Sequence, residues 1–224
     1  MKVLGLIPAR GGSKSIVNKN MVDLGGSPLI KWTIDAASKS SLSRVVVTTE
    51  NKEIADACRS FGAEVPFVRP DSLASDDAQS IDVVLHALDA LDEKFDAVML
   101  LQPTSPFRTY DDINLALTMN HDGSSVISVA PVDGMHPARM KFIENGFLVD
   151  PQFVEEVENM PRQNLQPMYI RNGAIYLSAV SDLNNRTFKG SKSRALVMPK
   201  ERSLNIDSEF DLLIARVMVS GRLI

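Results

Sequence analysis

Residues 3–20 read VLGLIPARGGSKSIVNKN, and this stretch carries most of the information about the fold. A short apolar run, residues 3–7, enters a loop that holds Gly11, Gly12 and three cations. The cations are Arg10, Lys14 and Lys19. An apolar strand that runs into a glycine-rich loop is typical of the first unit of an α/β fold. Because glycines let backbone N–H groups turn inward, the loop is a candidate binding site for a polyanion such as a triphosphate.

This loop differs from the two phosphate-binding motifs that it superficially resembles. It lacks the Gly-Lys-Ser/Thr ending of a P-loop, and its glycines do not have the spacing of a dinucleotide-binding fingerprint. Arg10 can bind phosphate oxygens through two parallel hydrogen bonds, whereas the lysines act as point charges. Taken alone, such a loop is also typical of a solvated glycine-rich turn.

Beyond the loop, short apolar runs alternate with stretches of helical period, which indicates βα units around a mostly parallel sheet. We expect strands at residues 3–7, 44–48, 64–68, 97–101, 125–129, 174–177 and 194–198. We expect helices at residues 28–39, 52–61, 77–91, 111–119 and 207–219, with Gly62 as a C-cap. The predicted fold class is α/β, a three-layer α/β/α sandwich with its ligand crevice at the carboxyl ends of the strands.

Residues from about 131 to 170 break this rhythm with scattered Pro, Asn and Gly and only short apolar pieces. Asn145-Gly146, between apolar pieces at 141–143 and 147–149, predicts a tight hairpin turn. We interpret the region as an inserted arm in a single domain of residues 1–224. Because the arm has few core-forming runs, packing against a second subunit would stabilise it, and we expect a homodimer.

The composition restricts the partners. With a formal net charge of −4, the chain has no general attraction to nucleic acid or to an anionic membrane. Its apolar runs fall short of the roughly 20 residues that span a bilayer, and residues 3–7 are too short for a signal peptide. Cys58 is the single cysteine, which excludes an internal disulfide and fits a reducing compartment. We expect a cytoplasmic protein that binds neither nucleic acid nor membrane.

Five short segments, in order along the chain, match one known family. They are residues 7–14 (IPARGGSK) followed by Lys19-Asn20, then 69–76 (RPDSLASD), 101–109 (LQPTSPFRT), 172–176 (NGAIY) and 205–211 (NIDSEFD). They resemble the CMP-sialic acid synthetases over nearly the whole chain. The resemblance implies a Rossmann-like fold, usually dimeric, and a cytidylyltransferase. Such an enzyme transfers CMP from CTP to a nine-carbon sialic-acid-like sugar and releases pyrophosphate.

The resemblance also implies roles for individual residues. The residues that would bind CTP are Arg10, Gly11, Gly12, Ser13, Lys14, Lys19, Asn20, Arg69 and Ser80. The residues that would bind the sugar acid are Gln102, Arg139, Arg162 and Tyr176. Magnesium, the expected cofactor, would be bound by Asp207, with Asp211 four residues on and on the same helical face. The catalytic set would be Arg10, Lys14, Lys19 and Asp207: the three cations and the metal would stabilise the charge that leaves with pyrophosphate, and Asp207 would hold the metal.

Plainer alternatives stay open for these residues. Gln102 also fits a role in a polar turn, Tyr176 also fits a role as a buried core residue, and Arg162 also fits a role as a solvated side chain of the arm. Asp207 is also suited to cap the last helix. The common family pattern Asp-Ile-Asp is Asn205-Ile206-Asp207 here, which predicts one metal ion rather than two.

Other functions stay open as well. One is nucleotidyl transfer to a different acceptor, such as an eight-carbon ketosugar acid or a hexose 1-phosphate. Another is a non-catalytic module that binds CTP. The sequence does not distinguish N-acetylneuraminic, legionaminic and pseudaminic acids, nor one order of substrate binding from another. It does not identify the general base either, since His86, His121 and His136 are scattered and only His136 lies in the arm.

Overall fold

The computed structural model describes all residues, 1–224. Its central feature is a six-stranded sheet, flanked by two two-stranded sheets. The strands, in chain order, are β1 (Val3–Pro8), β2 (Asp23–Leu24), β3 (Ser27–Pro28), β4 (Arg44–Thr48), β5 (Ala97–Leu100), β6 (Ser125–Pro131), β7 (Phe142–Glu144), β8 (Phe147–Val149), β9 (Tyr169–Ala179) and β10 (Ser193–Val197). The helices are α1 (Leu29–Ser38), α2 (Lys52–Ser60), α3 (Ser80–Ala90), α4 (Tyr110–Met119), α5 (Val180–Asn184) and α6 (Glu209–Ser220).

The strand order in the main sheet is β10-β6-β9-β5-β1-β4. Parallel pairing joins β1 to β4 and to β5, and joins β10 to β6. Strand β9 runs antiparallel to both of its neighbours, β5 and β6. The sheet is therefore mostly parallel, as the alternation of strands and helices predicts.

Helices cover both faces of this sheet, so the predicted three layers are confirmed. Alternate residues of β1 enter opposite cores: Ile7 packs with α1, α2 and α4, whereas Leu6 packs with α3 and α5. A smaller cluster joins α6 to β2 and the start of α1. Burial of both faces explains why the parallel strands read as continuous apolar runs instead of alternating ones.

Local sequence fixes where the helices begin. The Asn51 side chain caps α2, and Thr109 with Asp112 forms a capping box on α4. Ser208 with Asp211 forms the same box on α6. The C-cap of α2 is Phe61, one residue before the predicted position, and Gly62 follows it with φ +84°, the left-handed conformation that commonly terminates a helix.

One predicted strand is absent from the structure, and several other elements differ from the prediction in their bounds. Residues 64–68 do not form a strand, and only a single bridge joins Glu64 to Val46. Pro66 lacks an N–H donor for the sheet, and Val68 is exposed. Helix α3 begins at Ser80, three residues later than predicted.

The arm leaves the main sheet between Pro131 and Tyr169, whose Cα atoms pair across β6 and β9. Within it, β7 and β8 form the predicted hairpin around Asn145 and Gly146, both with positive φ. Many apolar side chains of the arm face solvent. They are Met135, Met140, Phe142, Ile143, Phe147, Leu148, Phe153, Val154 and Val157.

None of the helices has the length and the hydropathy that crossing a bilayer requires.

Candidate active site

A cleft of about 480 Å3 opens where β1 and β5 end, at the carboxyl edge of the parallel strands. It is lined mainly by polar and charged side chains. Many of the predicted site residues come together here, namely Arg10, Ser13, Lys14, Lys19, Asn20, Arg69, Ser80, Gln102 and Asp207. Segments far apart in sequence therefore form one polar cleft at the place predicted for the ligand.

The glycines of the first loop play a different part from the one predicted. The Gly11 N–H donates to Glu50 Oε1 at 2.6 Å, so it is not presented to the cleft. A Cβ at Gly11 would lie 2.7 Å from Asn51 Nδ2, which explains the need for glycine. Neither Gly11 nor Gly12 has a positive φ or lines the cleft. The predicted nest of N–H groups is wrong for this loop, because the β4–α2 junction holds the backbone instead.

Arg69 braces the same loop from beneath. Only 3% of it is exposed, and its guanidinium donates to Glu50 Oε2 at 2.7 Å and to Ala9 O at 3.2 Å. Asn20, also buried, donates from Nδ2 to Arg10 O at 2.9 Å. Sequence reasoning missed Glu50, although its place just after a predicted strand could have indicated it. These contacts fix the loop before any ligand binds.

The loop cations meet an acidic residue that sequence reasoning left without a role. Asp76 lies 2.8 Å from Arg10 and 2.6 Å from Lys14, measured between charged atoms. Lys14 first, and Arg10 next, hold the pKa of the Asp76 carboxyl below its usual value. Asp76 thus provides a negative charge where the cations of the loop converge.

At the opposite wall, Asp207 is held by two donors. Lys19 Nζ lies 3.0 Å from Asp207 Oδ1 and donates to Ile206 O at 2.9 Å. Asn205 donates from Nδ2 to Asp207 Oδ2. Lys19 is largely buried while the Asp207 side chain is 64% exposed, so the carboxylate stays accessible from the cleft.

Asp211 is placed differently from Asp207. Its Oδ2 accepts hydrogen bonds from Ser208 Oγ at 2.7 Å, Ser208 N at 2.8 Å and Asp207 N at 3.1 Å. The Ser208 hydroxyl is the main cause that lowers the pKa of Asp211. Asp207 precedes α6, so the expectation that both carboxylates share a helical face is wrong. The N-cap of α6 is Ser208 and not Asp207.

Of the two carboxylates beside the start of α6, only that of Asp207 suits a hard cation such as Mg2+. Nowhere in the chain do three His, Cys, Asp or Glu side chains form a group that could hold a metal ion. Mg2+ commonly binds one or two carboxylates, keeps waters and takes its other ligands from substrate phosphates. Asp207, exposed and facing the cleft, fits that mode, whereas Asp211 is occupied by the cap of α6.

Gln102 lies on the turn after β5, next to an obligatory glycine. Gly173 has φ +76°, and a Cβ there would lie 3.0 Å from Gln102 Oε1. A side chain at residue 173 would therefore displace the glutamine amide. The Gln102 side chain faces the cleft, beside Thr104 and Asn205.

Tyr176 is not among the residues that line this cleft, nor among those that line a second cavity of about 550 Å3. In the sheet it pairs with Leu100, which lines the cleft, and with Ile127, which lines the second cavity. The ring is half-buried, and its centroid lies 5.7 Å from that of Phe188. Four cations line the second cavity, namely Arg171, Arg186, Lys189 and Arg194. Sequence reasoning did not identify this basic bay.

The arm residues lie away from the cleft of their own chain. Arg139 donates from Nε to Glu155 Oε1 at 2.6 Å, and Arg162 is 3.9 Å from Asp133. His136 is buried in the arm, with Nε2 2.9 Å from Gln166 O and Nδ1 accepting from Ala138 N. One chain does not bring Arg139 or Arg162 to Gln102, so their sugar-binding role stays a prediction.

The cytidylyltransferase family model matches residues 4–177, so the chain belongs to this family of nucleotidyltransferase enzymes. Cytidylyltransferases of this type generally use a divalent metal ion. A solved structure of CMP:2-keto-3-deoxy-manno-octonic acid synthetase complexed with CTP superposes with a TM-score of 0.76 at 15% identity. It covers 99% of this chain and 100% of the other. This likeness supports the α/β fold.

The curated relatives are more specific. The CMP-N,N'-diacetyllegionaminic acid synthase of Legionella pneumophila is 37% identical, over 94% of this chain and 93% of its own. The pseudaminic acid cytidylyltransferase of Campylobacter jejuni is 31% identical, over 97% and 96%. The N-acylneuraminate cytidylyltransferase of Streptococcus agalactiae is 34% identical, over 95% of this chain. The chain spans about half the length of that relative.

Proposed function

We propose that this protein transfers CMP from CTP to a nine-carbon sugar acid of the sialic-acid type and releases pyrophosphate. The observation that carries the proposal is the single cleft in which three cations, the Gln102 amide and the exposed Asp207 carboxylate face one another. Relatives that share about a third of its residues are named for this class of acceptor.

The first loop supplies the charge that a triphosphate needs. Arg10 and Lys14 already bind one carboxylate, Asp76, so their positive ends converge at a distance suited to an anion. On this proposal the phosphates of CTP displace Asp76 from the two cations. Lys19, Ser13 and Asn20 line the same cleft, and we propose that Arg69 and Ser80, which also line it, contact the nucleoside.

Magnesium is the metal that we propose. Asp207 would hold this ion, which would supply positive charge toward the oxygens that carry the developing negative charge. Lys19 and Asn205 keep both Asp207 oxygens oriented. We propose one metal ion, since Asp211 serves the cap of α6 and residue 205 is an amide.

For the acceptor, we propose a position beside Gln102, on the side of the cleft next to β9, the strand that carries Tyr176. The amide of Gln102 offers a donor and an acceptor to hydroxyl groups, and Tyr176 offers a ring face. The anomeric hydroxyl oxygen attacks the α-phosphorus of CTP and releases its proton to solvent, forming a new P–O bond as the bond to the pyrophosphate oxygen breaks. Catalysis then rests on positioning and charge stabilisation, without a covalent enzyme intermediate.

The arm supports a homodimer. Its hairpin exposes apolar side chains that would be covered in a symmetric pair. Arg162, 64% exposed and away from its own cleft, would in that pair be free to reach a partner's sugar site. We also propose that the enzyme works in the cytoplasm, which fits its one free thiol, that of the buried Cys58.

The test is pyrophosphate release from CTP and Mg2+ with N-acetylneuraminic, legionaminic and pseudaminic acids, and with an eight-carbon ketosugar acid as control. We expect release with a nine-carbon acid and little with the control. Release only with the eight-carbon acid would reassign the acceptor. CTP binding without release in any reaction would favour the non-catalytic module.

A further inference from the structure

A buried cation lies behind the cleft and has no part in the roles above. Arg108 is 2% exposed, and burial lowers the pKa of its guanidinium to about 9, so it is charged at neutral pH. It has no carboxylate at ion-pair distance, because the nearby Asp112 is paired with Arg202. Burying a charge without an ionic partner costs free energy, so the hydrogen bonds of Arg108 must offset that cost.

Two hydrogen bonds show what Arg108 holds. One terminal nitrogen donates to Thr33 Oγ1 at 2.8 Å, and Thr33 is fully buried in α1. The other donates to the backbone oxygen of Gln102. The same oxygen accepts from Ser105 N at 3.3 Å, which closes the turn of residues 102–105. The guanidinium therefore ties this turn to a rigid helix.

Hydrogen bonds join the turn of residues 102–105 to the segment that carries Asp207. Thr104 O accepts from Ile206 N at 2.7 Å, and Ile206 O accepts from Lys19 Nζ at 2.9 Å. Ser105 Oγ donates to Asn172 O at 3.0 Å and lies 3.3 Å from Asn205 Oδ1. The position of the turn thus sets both the place of Gln102 and the place of the segment that carries Asp207.

We propose that Arg108 is a positioning residue: by clamping the 102–105 turn to α1, it fixes the distance between Gln102 and Asp207. The inference rests on the proposed function, since it gives these two residues the sugar and the metal. Arg108 touches neither substrate. A guanidinium suits this task because its planar fork reaches two acceptors at once, whereas an ammonium is a single point of contact.

The experiment compares Arg108→Met with Arg202→Met. Arg202 is a matched control, since it is a guanidinium beside the same helix α4 that binds Asp112 and Thr109 but not the turn. Both variants lose a cation and hydrogen bonds near α4, so both are expected to lower Tm. Hydrogen exchange, CTP affinity without metal, and steady-state kinetics against the sugar acid are measured on each.

In Arg108→Met, we expect faster exchange of the Ser105 and Ile206 amides and a loss of kcat/KM for the sugar approaching about a hundredfold. Its CTP affinity should stay within about twofold of the wild type, because the first loop is untouched. Arg202→Met should keep slow exchange at both amides and near wild-type kcat/KM. Arg108→Lys should recover only part of the loss.

Three outcomes would overturn the inference. The first is unchanged exchange at Ser105 and Ile206 in Arg108→Met, which needs no active enzyme to observe. The second is a loss of kcat/KM that is proportional to the decrease in Tm, with the same proportion in Arg108→Met and Arg202→Met. The third is a CTP affinity that falls as far as kcat/KM. Failure of the proposed function has a different signature: wild-type enzyme that is silent with every sugar acid while both amides still respond to Arg108→Met.

Discussion

The cleft and the arm differ in whether their side chains find partners within the same chain. In the cleft, charged groups are fixed within the chain, as when Arg69, only 3% exposed, is paired with Glu50. In the arm, Ile143, Phe147 and Leu148 are each about three-quarters exposed. The difference shows that the charged groups of the cleft have their partners within one chain, whereas the apolar side chains of the arm are not covered by that chain.

Physical chemistry gives the reason for the difference. A buried guanidinium needs a carboxylate or other hydrogen-bond acceptors within reach, because a buried charge that lacks them costs several kcal/mol. Exposing apolar surface costs less free energy, about 25 cal/mol for each Å2, and this cost is removed when another surface covers it. The charged groups of the cleft are therefore paired within the single chain, whereas the apolar side chains of the arm tolerate exposure in it.

The largest expected effect is on the cleft. Arg10→Ala should lower kcat by about a hundredfold to a thousandfold, the typical cost of one preorganised group that stabilises developing charge. Steady-state kinetics with CTP, Mg2+ and the sugar acid measure it. Lys52→Ala, which removes an exposed cation outside the cleft, should have wild-type activity. An Arg10 variant with wild-type turnover would remove Arg10 from the catalytic set.

The next effect concerns the arm. Leu148→Glu should weaken self-association by about 30-fold or more, because it places a charge in the apolar surface proposed as the interface. Sedimentation over a concentration series measures it. Leu115→Glu is the matched control, since Leu115 is a half-exposed leucine on α4, outside the arm. Equal sedimentation of both variants would assign the apolar arm to something other than dimerisation.

A third effect separates the two acidic residues beside α6. Asp207→Asn should raise the Mg2+ concentration for half-maximal activity by at least the roughly tenfold that losing a supporting group of a metal site costs. Asp211→Asn should leave that concentration unchanged and lower the free energy of unfolding by about 1 kcal/mol, as loss of a cap does. Metal titrations and chemical denaturation of both variants test this pair of roles.

The pH dependence of the Asp211 cap has a definite sign. Because its pKa is lowered in the folded protein, the unfolded chain binds the proton more readily. The stabilisation by Asp211 is thus present above the unfolded pKa of about 4 and is lost as the pH falls through the lower folded value. The stability difference between wild type and Asp211→Asn should disappear in acid. A difference that grows as the pH falls would contradict the capping role.

The smallest expected effect is at Asp76. Asp76→Asn should tighten CTP binding by a factor of about two to five, because partly exposed ion pairs are worth up to about 1 kcal/mol. Titration calorimetry without metal measures the affinity. Asp56→Asn, which removes an exposed pair with Arg59 on α2, serves as control. Weaker CTP binding in the Asp76 variant would mean that Asp76 helps to hold the nucleotide.

Much of this molecule follows from local pattern. Strand β4 lies at residues 44–48, as its β-branched run predicts, and Asn145-Gly146 turns the arm hairpin. Residues 64–68 had the same β-branched character and failed as a strand, because Pro66 cannot complete the ladder. Strand β9 begins at Tyr169, five residues before the predicted start, since pairing with β6 extends it.

By itself, the sequence determined the α/β class and the cleft at the strand ends, because periodicity is a local property of the chain, and its resemblance to a known family indicated nine of the 20 residues that line the cleft. Only the tertiary structure decided which partner each polar group takes: Glu50 for Gly11, Asp76 for Arg10, the cap of α6 for Asp211, and Gln102 O for Arg108. The first two pairs are many residues apart, whereas Gln102 and Arg108 are six residues apart and meet only because the chain turns between them. The cap depends on where α6 begins. Hydrogen bonds and ion pairs depend on distances that only the folded chain sets.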